Sequence, residues 1–503
     1  MSEFKIKVGE TLSERETKSI LGFGKAKTAL FIGYILLFLS SLLLGYYIIN
    51  EGFAAAAIIL IGLASLPIAY IIVTYPKYGI IILLIASYFI MWFTHMGIDY
   101  PLGTVIDIIE LLLIIGFFIK QKKNPNWGVF RNSASYIILI WVSYNVLQVF
   151  NPIAESRLVW VYTIRSVAAV MIMYFVFVYH IRSIEFIRLL IKIWIALSII
   201  GAAYAFWQEY IDFLPFEQRF LNSDPKYKAL LYIAGRWRKF SIYSDPVAFS
   251  YNMVISSILC ITMMFNPIKI WKRIFLGLCA FFMIWAMIFS GTRGAYVLLP
   301  AALLLLALLK MTNIKVLIIA GAASMILGIL IYVPTSNYNL IRFQSAFKPS
   351  NDASFNVRAI NQKRIQPYIQ DHPFGAGLGA VSLTGKQMVK HSVLTGFAPD
   401  SGYVRVAVEL GWVGLLLFCT LFFVVVTSGI NSYIKIKDPE LKNYCLAMTL
   451  IAFAIAVGSY PQEATVQFPT SIYFYLVVAI ITITRQLHDK NYPKPKKPVK
   501  HLF

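Results

Sequence analysis

Charge is scarce in this sequence, and negative charge is scarcer still: 14% of its 503 residues are charged, with 23 Asp and Glu against 45 Lys and Arg. Set beside 59% hydrophobic residues and a mean hydropathy of +0.71, that scarcity excludes an ordinary soluble domain. The four cysteines, Cys260, Cys279, Cys419 and Cys445, all fall inside apolar runs without CxxC spacing, which leaves no disulfide framework and no thiolate metal site. No GxSxG, no P-loop and no cluster with metal-ligand spacing occurs, so neither metal nor cofactor is expected. Repeats of fixed period are also missing, which counts against a repeat-built transporter. The surplus of +22 does not imply a nucleic-acid partner, because the cations are spread over loops instead of forming one dense face.

What the sequence does have is long apolar runs. A helix of about 20 apolar residues crosses roughly 30 Å of hydrocarbon, and about 14 such runs lie between Thr28 and Thr484. The expected fold class is all-α: a polytopic transmembrane helical bundle with one large extracytoplasmic loop. The reading divides the chain into a cytoplasmic tail (1–27), about 11 spans (28–333), an extracytoplasmic catalytic loop (334–401), about 3 further spans (402–485) and a basic cytoplasmic tail (486–503). The first span follows a charged tail and has no small-residue cleavage site, so it reads as a retained helix and not a signal peptide.

Lys and Arg alternate between loops as the positive-inside rule requires. Lys77, then Lys120, Lys122, Lys123 and Arg131, then Arg182 and Arg188, then Lys269, Lys272 and Arg273 mark one side. That side is shared with both termini and is read as cytoplasmic. The loop is then periplasmic or extracellular, and the protein is a multi-pass plasma (inner) membrane protein.

Arginines on the far side are the anomaly. Arg157, Arg236, Arg238 and Arg293 sit in short outer segments, and Arg165 lies about two turns into a span. A guanidinium at a membrane edge is costly to desolvate unless it is paired, and its planar fork suits phosphate. The set, with Arg358 on a short amphipathic helix of the loop, therefore reads as a holder for an anionic diphosphate. The ordinary alternative is snorkelling, or pairing with Glu155, Glu209, Asp212 or Asp245. SGTRGAYVLL puts Arg293 at a break between spans, where the start of the next helix adds its positive end.

Two carboxylates, Asp107 and Glu110, share one face of a span and have either a functional role or a structural partner such as Arg165. Among acids and bases near the loop, Asp400 stands where the chain re-enters the membrane and ranks first as general base, with helix capping as its ordinary role. His391 ranks second. Arg405 and Glu409 are spaced for mutual pairing. The glycines of HPFGAGLGAV match no dinucleotide fingerprint and read as a flexible turn lining a cavity.

Four elements in order carry a family resemblance: RKFSIYSDPVAFSYNM (Arg238 to Met253), FSGTRGAYVLL (Phe289 to Leu299), HPFGAGLG (His372 to Gly379) and SGYVRVAVELGWVGLLLF (Ser401 to Phe418). Together they resemble the bacterial O-antigen ligase and O-antigen polymerase superfamily of polytopic glycosyltransferases. The resemblance implies a metal-independent transfer on the outer face of the plasma membrane, from an undecaprenyl-diphosphate-linked oligosaccharide to a sugar hydroxyl of an acceptor glycan. Membrane lipids and a chain-length regulator are the other partners it implies. By position, Arg293 matches the arginine of the family's turn and Arg238 the one ahead of Asp-Pro. Where many members carry His-Asn, this chain has Asp400-Ser401, so either Asp400 takes over as base or the base lies elsewhere, with His391 the nearest histidine. The candidate catalytic residues are thus Asp400, His391 and Arg293. A repeat-unit polymerase is preferred over a ligase to lipid A core. The rival classes are a non-catalytic lipid-linked oligosaccharide flippase and a structural partner in a synthase complex.

Overall fold

The computed structural model describes residues 34–492, apart from 36, 44, 47–52, 98–101, 234, 348–352, 389–393 and 395–396. The chain forms two compact units, Met1–Ile71 and Ile72–Phe503. In the first, the described residues are helical, and a helix begins at Phe53 that runs on to Thr74 (α1).

The second unit is a helical bundle. Its elements are α2 (Pro76–Thr94), α3 (Gly103–Lys123), α4 (Ser133–Leu147), α5 (Arg157–His180) and α6 (Ile184–Tyr210). A small segment follows, of α7 (Pro215–Ser223), α8 (Pro225–Leu231) and the two-residue antiparallel strands β1 (Tyr232–Ile233) and β2 (Arg236–Trp237). Next come α9 (Pro246–Met263), α10 (Ile270–Ile288), α11 (Arg293–Leu309) and α12 (Ile314–Tyr332). The long polar stretch folds as α13 (Tyr338–Ser345), α14 (Ala353–Asp371) and α15 (Leu383–Met388), and α16 (Gly402–Lys435), α17 (Pro439–Gly458) and α18 (Thr470–Asn491) complete the bundle.

Nine helices among the described residues are long and apolar enough to cross a membrane, where the sequence reading expects about 14 spans. Composition and length account for part of the difference. Helix α3 carries Asp107, Glu110 and three lysines in its last turn, and α11 is apolar but has only 17 residues.

Burial sorts the helices. The apolar windows of α9, α17 and α18 are 89%, 78% and 83% buried, against 28% for α10 and 33% for α16, so the first three form the centre. Small residues let α17 lie against α9, α11, α16 and α18, with Ala447, Ala452, Ala454 and Gly458 all buried. Polar side chains at the centre bond to one another. Tyr88 and Tyr243 donate to Asn252 Oδ1 at 3.0 Å, and Ser198 bonds Ser256, which also accepts from Trp194. Hydrocarbon offers such groups no water, so they specify how α2, α6 and α9 meet.

Helix α16 is broken near its start. Gly411 has φ 69° and ψ −175°, which frees the carbonyls of the turn before it. They are taken up by the glycine-rich segment: Ala376 N donates to Val408 O (2.8 Å) and Gly377 N to Glu409 O (2.9 Å), while Tyr144 Oη donates to Leu410 O (2.7 Å). Gly375, Gly377 and Gly379 all have positive φ, and a Cβ on Gly375 would collide with Glu409 and Gly411. HPFGAGLG is therefore a tightly packed bracket and not the flexible turn expected from its composition. A Gly411→Ala change should cost on the order of 1–3 kcal/mol from the backbone alone. A thermal melt in detergent will read this as a lowered midpoint, and an unchanged midpoint would contradict the bracket.

Candidate functional site

The break between α10 and α11 is where the site begins. Ser290, Gly291 and Thr292 turn the chain, and Arg293 opens α11. The turn leaves carbonyls without helical partners, and two arginines cap them. Arg238 Nε donates to Ser290 O (2.8 Å) and its Nη2 to Thr292 Oγ1 (2.9 Å), while Arg342 Nε donates to Gly291 O (3.0 Å). Thr292 Oγ1 in turn donates to Pro246 O (3.1 Å), which ties the turn to the Asp-Pro start of α9. Asp245 caps that helix through Val247 N and Ala248 N. The Arg238–Pro246 and Phe289–Gly294 stretches, remote in sequence, are thus one structural unit.

Beside this unit lies a cavity of about 620 Å³. Arg293 and Arg358 line it, with Ser345, Gln362, Ser401, Tyr403 and Tyr460 as its other polar walls. Val297, Leu298, Ala456 and Val457 give it an apolar side between α11 and α17. The charges of Arg342, Arg358 and Arg238 all bear on Arg293, so four guanidinium groups from α11, α13, α14 and the segment before α9 converge. Like charges brought together oppose one another unless an anion joins them.

Asp400 stands at the edge of this cluster. Its carboxylate lies 3.7 Å from Arg358 Nε, and both side chains remain partly accessible. Capping is not its role, since Ser401 occupies the N-cap position of α16.

On the other flank of the first α16 turn, Arg405 Nε lies 3.3 Å from Glu409 Oε1, as their spacing implies, and Nη1 pairs with Glu463. Burial raises the Glu463 carboxyl above its ordinary range, with Arg405 acting against that shift. The Gly402 amide donates to Ser459 O (2.9 Å), so the triad and this bond fix the start of α16 against the 459–469 loop. A second cavity, of about 190 Å³, opens here, lined by Arg405, Glu409, Asn145, Trp141, Ser471 and Tyr475 among others.

Among the arginines expected to hold a diphosphate, the structure gathers Arg238, Arg293 and Arg358. Arg165 is placed elsewhere, 3.4 Å from Asp107, so the α3 carboxylate has the structural partner that was one of its two readings. Arg236 lies 3.9 Å from Glu209, and Arg157 opens α5 on an exposed position. His391 lies outside the described residues. Arg342 and Glu463 were missed. Arg342 sits on the short helix α13, and the carbonyl it caps lies 51 positions away in the sequence.

Fold and cavity together define a class: a polytopic helical membrane protein with a guanidinium-lined chamber at one end of the bundle. Residues 278–419 match the O-antigen ligase family, and this match supports the O-antigen ligase and polymerase superfamily for the chain. The matched stretch runs from the middle of α10 into α16 and contains Arg293, Arg342, Arg358, Asp400 and Arg405. No curated protein matches the chain.

Proposed function

We propose that the protein transfers a glycan from undecaprenyl diphosphate to an acceptor sugar hydroxyl on the outer face of the plasma membrane. The observation that carries this reading is the cavity lined by Arg293 and Arg358, with Asp400 ion-paired at its edge. A diphosphate carries charge that four converging guanidinium groups neutralise, and the apolar wall of Val297, Leu298 and Ala456 suits the first isoprenes of a lipid.

In this reading the acceptor oxygen attacks the anomeric carbon while the bond from that carbon to the phosphate oxygen breaks. Undecaprenyl diphosphate leaves with the electron pair, steadied by the arginines, and the acceptor proton passes to Asp400 or to His391. Both termini are cytoplasmic and the 334–401 segment faces outward. No metal is needed for the charge, because the guanidinium groups supply it. The role is polymerisation of a surface polysaccharide, O-antigen or capsule. Joining to lipid A core is the second reading, supported by the description of the matched family as O-antigen ligase.

Purified protein in detergent, given lipid-linked repeat units, should form longer glycans without any vesicle. A flippase forms no new covalent bond, so absence of product under conditions where the same preparation moves lipid across vesicles would overturn the proposal.

A further inference from the structure

At the far end of α5 from the arginine chamber is a second basic cavity, one the transfer reading leaves unused. Helix α5 starts beside the glycine bracket and ends at His180; its 24 residues span about 36 Å, so this cavity opens on the opposite rim of the bundle. It has a volume of about 540 Å³ and is lined by Lys77, Asn124, Asn126, Tyr179, His180 and Arg182.

Three features separate it from ordinary basic loops. Lys120, Arg182 and Lys77 all act on His180, so the four groups share one field, and no ion pair among the described residues engages these three cations. Glu185, the nearest carboxylate in the sequence, is exposed and forms no ion pair among the described residues. His180 is 8% exposed, and its Nε2 is buried without a hydrogen-bond partner. Lastly, the wall is preorganised: Arg182 Nε donates to Tyr179 O (2.7 Å) with its guanidinium over the Tyr179 ring, and Tyr179 Oη donates to Asn124 O (2.9 Å). Helix α2 begins here without a side-chain cap, which adds its positive end.

Exposed aromatic residues place the cavity at headgroup depth. Tyr75 and Tyr78 flank Lys77, and Trp127 follows Asn126, at 55%, 61% and 58% exposure. Positive charge for topology alone needs only solvated lysines. A concave basic site between helices, ringed by interfacial aromatics, suits a phosphate that arrives within the membrane.

We propose that this cavity binds the phosphate of an anionic phospholipid in the leaflet opposite the arginine chamber. The proposal is independent of the transferase reading. The test is the thermal midpoint of the full chain in zwitterionic detergent with dioleoyl phosphatidylglycerol, dioleoyl phosphatidylcholine or inorganic phosphate added. Phosphatidylglycerol should raise the midpoint by roughly 5 °C when well above its dissociation constant, and phosphatidylcholine should not. K77Q/R182Q should lose the rise, whereas K269Q/K272Q, on exposed positions at the start of α10, should keep it. An equal rise with phosphatidylcholine, or its persistence in K77Q/R182Q, overturns the site. An equal rise with inorganic phosphate overturns the lipid as its source. If the double variant melts too low to read, native mass spectrometry of K77Q and R182Q counts retained phosphatidylglycerol, and undiminished retention has the same overturning force.

Discussion

Arg293→Ala is expected to leave the protein inserted and folded while lowering glycan lengthening by roughly 10²- to 10³-fold, the usual cost of removing one preorganised electrostatic group. Arg293 lines the cavity at the first turn of α11, where three other guanidinium charges bear on it. Removing it lessens the repulsion among the remaining guanidinium groups, and a melting curve of the variant checks that the fold is kept. The loss belongs to the bound diphosphate and grows as charge collects on the leaving group. Arg293→Lys should recover little, because an ammonium offers a point charge where the planar fork makes two parallel bonds. Arg238→Ala and Arg342→Ala should behave differently. Their Nε groups hold Ser290 O and Gly291 O, so both variants should lose thermal stability along with activity. Product formation followed by gel ladder, beside a melting curve for each variant, separates the two patterns. A normal ladder from Arg293→Ala would refute the assignment.

That contrast bears on what the sequence made legible. Residue type was enough to mark Arg293, because a guanidinium at a break between apolar runs is costly wherever it points. Direction was not legible. Arg165 and Arg236 have the same type and similar placement, yet each faces a carboxylate of a different element, Asp107 of α3 and Glu209 of α6. A similar limit applied to α16. VELGWVG reads as continuous helix from its apolar content, whereas the backbone angles of Gly411 and the bonds from Ala376 and Gly377 show that the helix is interrupted there. Arg342 could not be singled out from the pattern of the polar stretch, since what distinguishes it is a carbonyl at Gly291. The helical class followed from apolar run length alone, but the count of spans depends on how carboxylates in α3 are weighed.

Asp400→Ala should lower glycan lengthening by about 10²- to 10⁴-fold, the range for loss of a general base. Position favours Asp400 over the other carboxylates near the chamber. Glu409 and Glu463 are committed to Arg405, while Asp400 is partly accessible and lies 3.7 Å from Arg358 on the cavity wall. That ion pair also gives it a rival role as a positioning residue that holds Arg358 toward the diphosphate. Asp400→Asn separates the two. An amide oxygen still accepts from Arg358, so a positioning role predicts that the asparagine variant keeps most of its turnover and shows mainly a raised KM. A base role predicts that asparagine fails as badly as alanine, with the loss in kcat, because the amide takes up no proton. His391→Gln, measured alongside, should then retain activity. If Asp400→Asn turns over normally while His391→Gln does not, the base is the histidine, and Asp400 serves the arginine beside it.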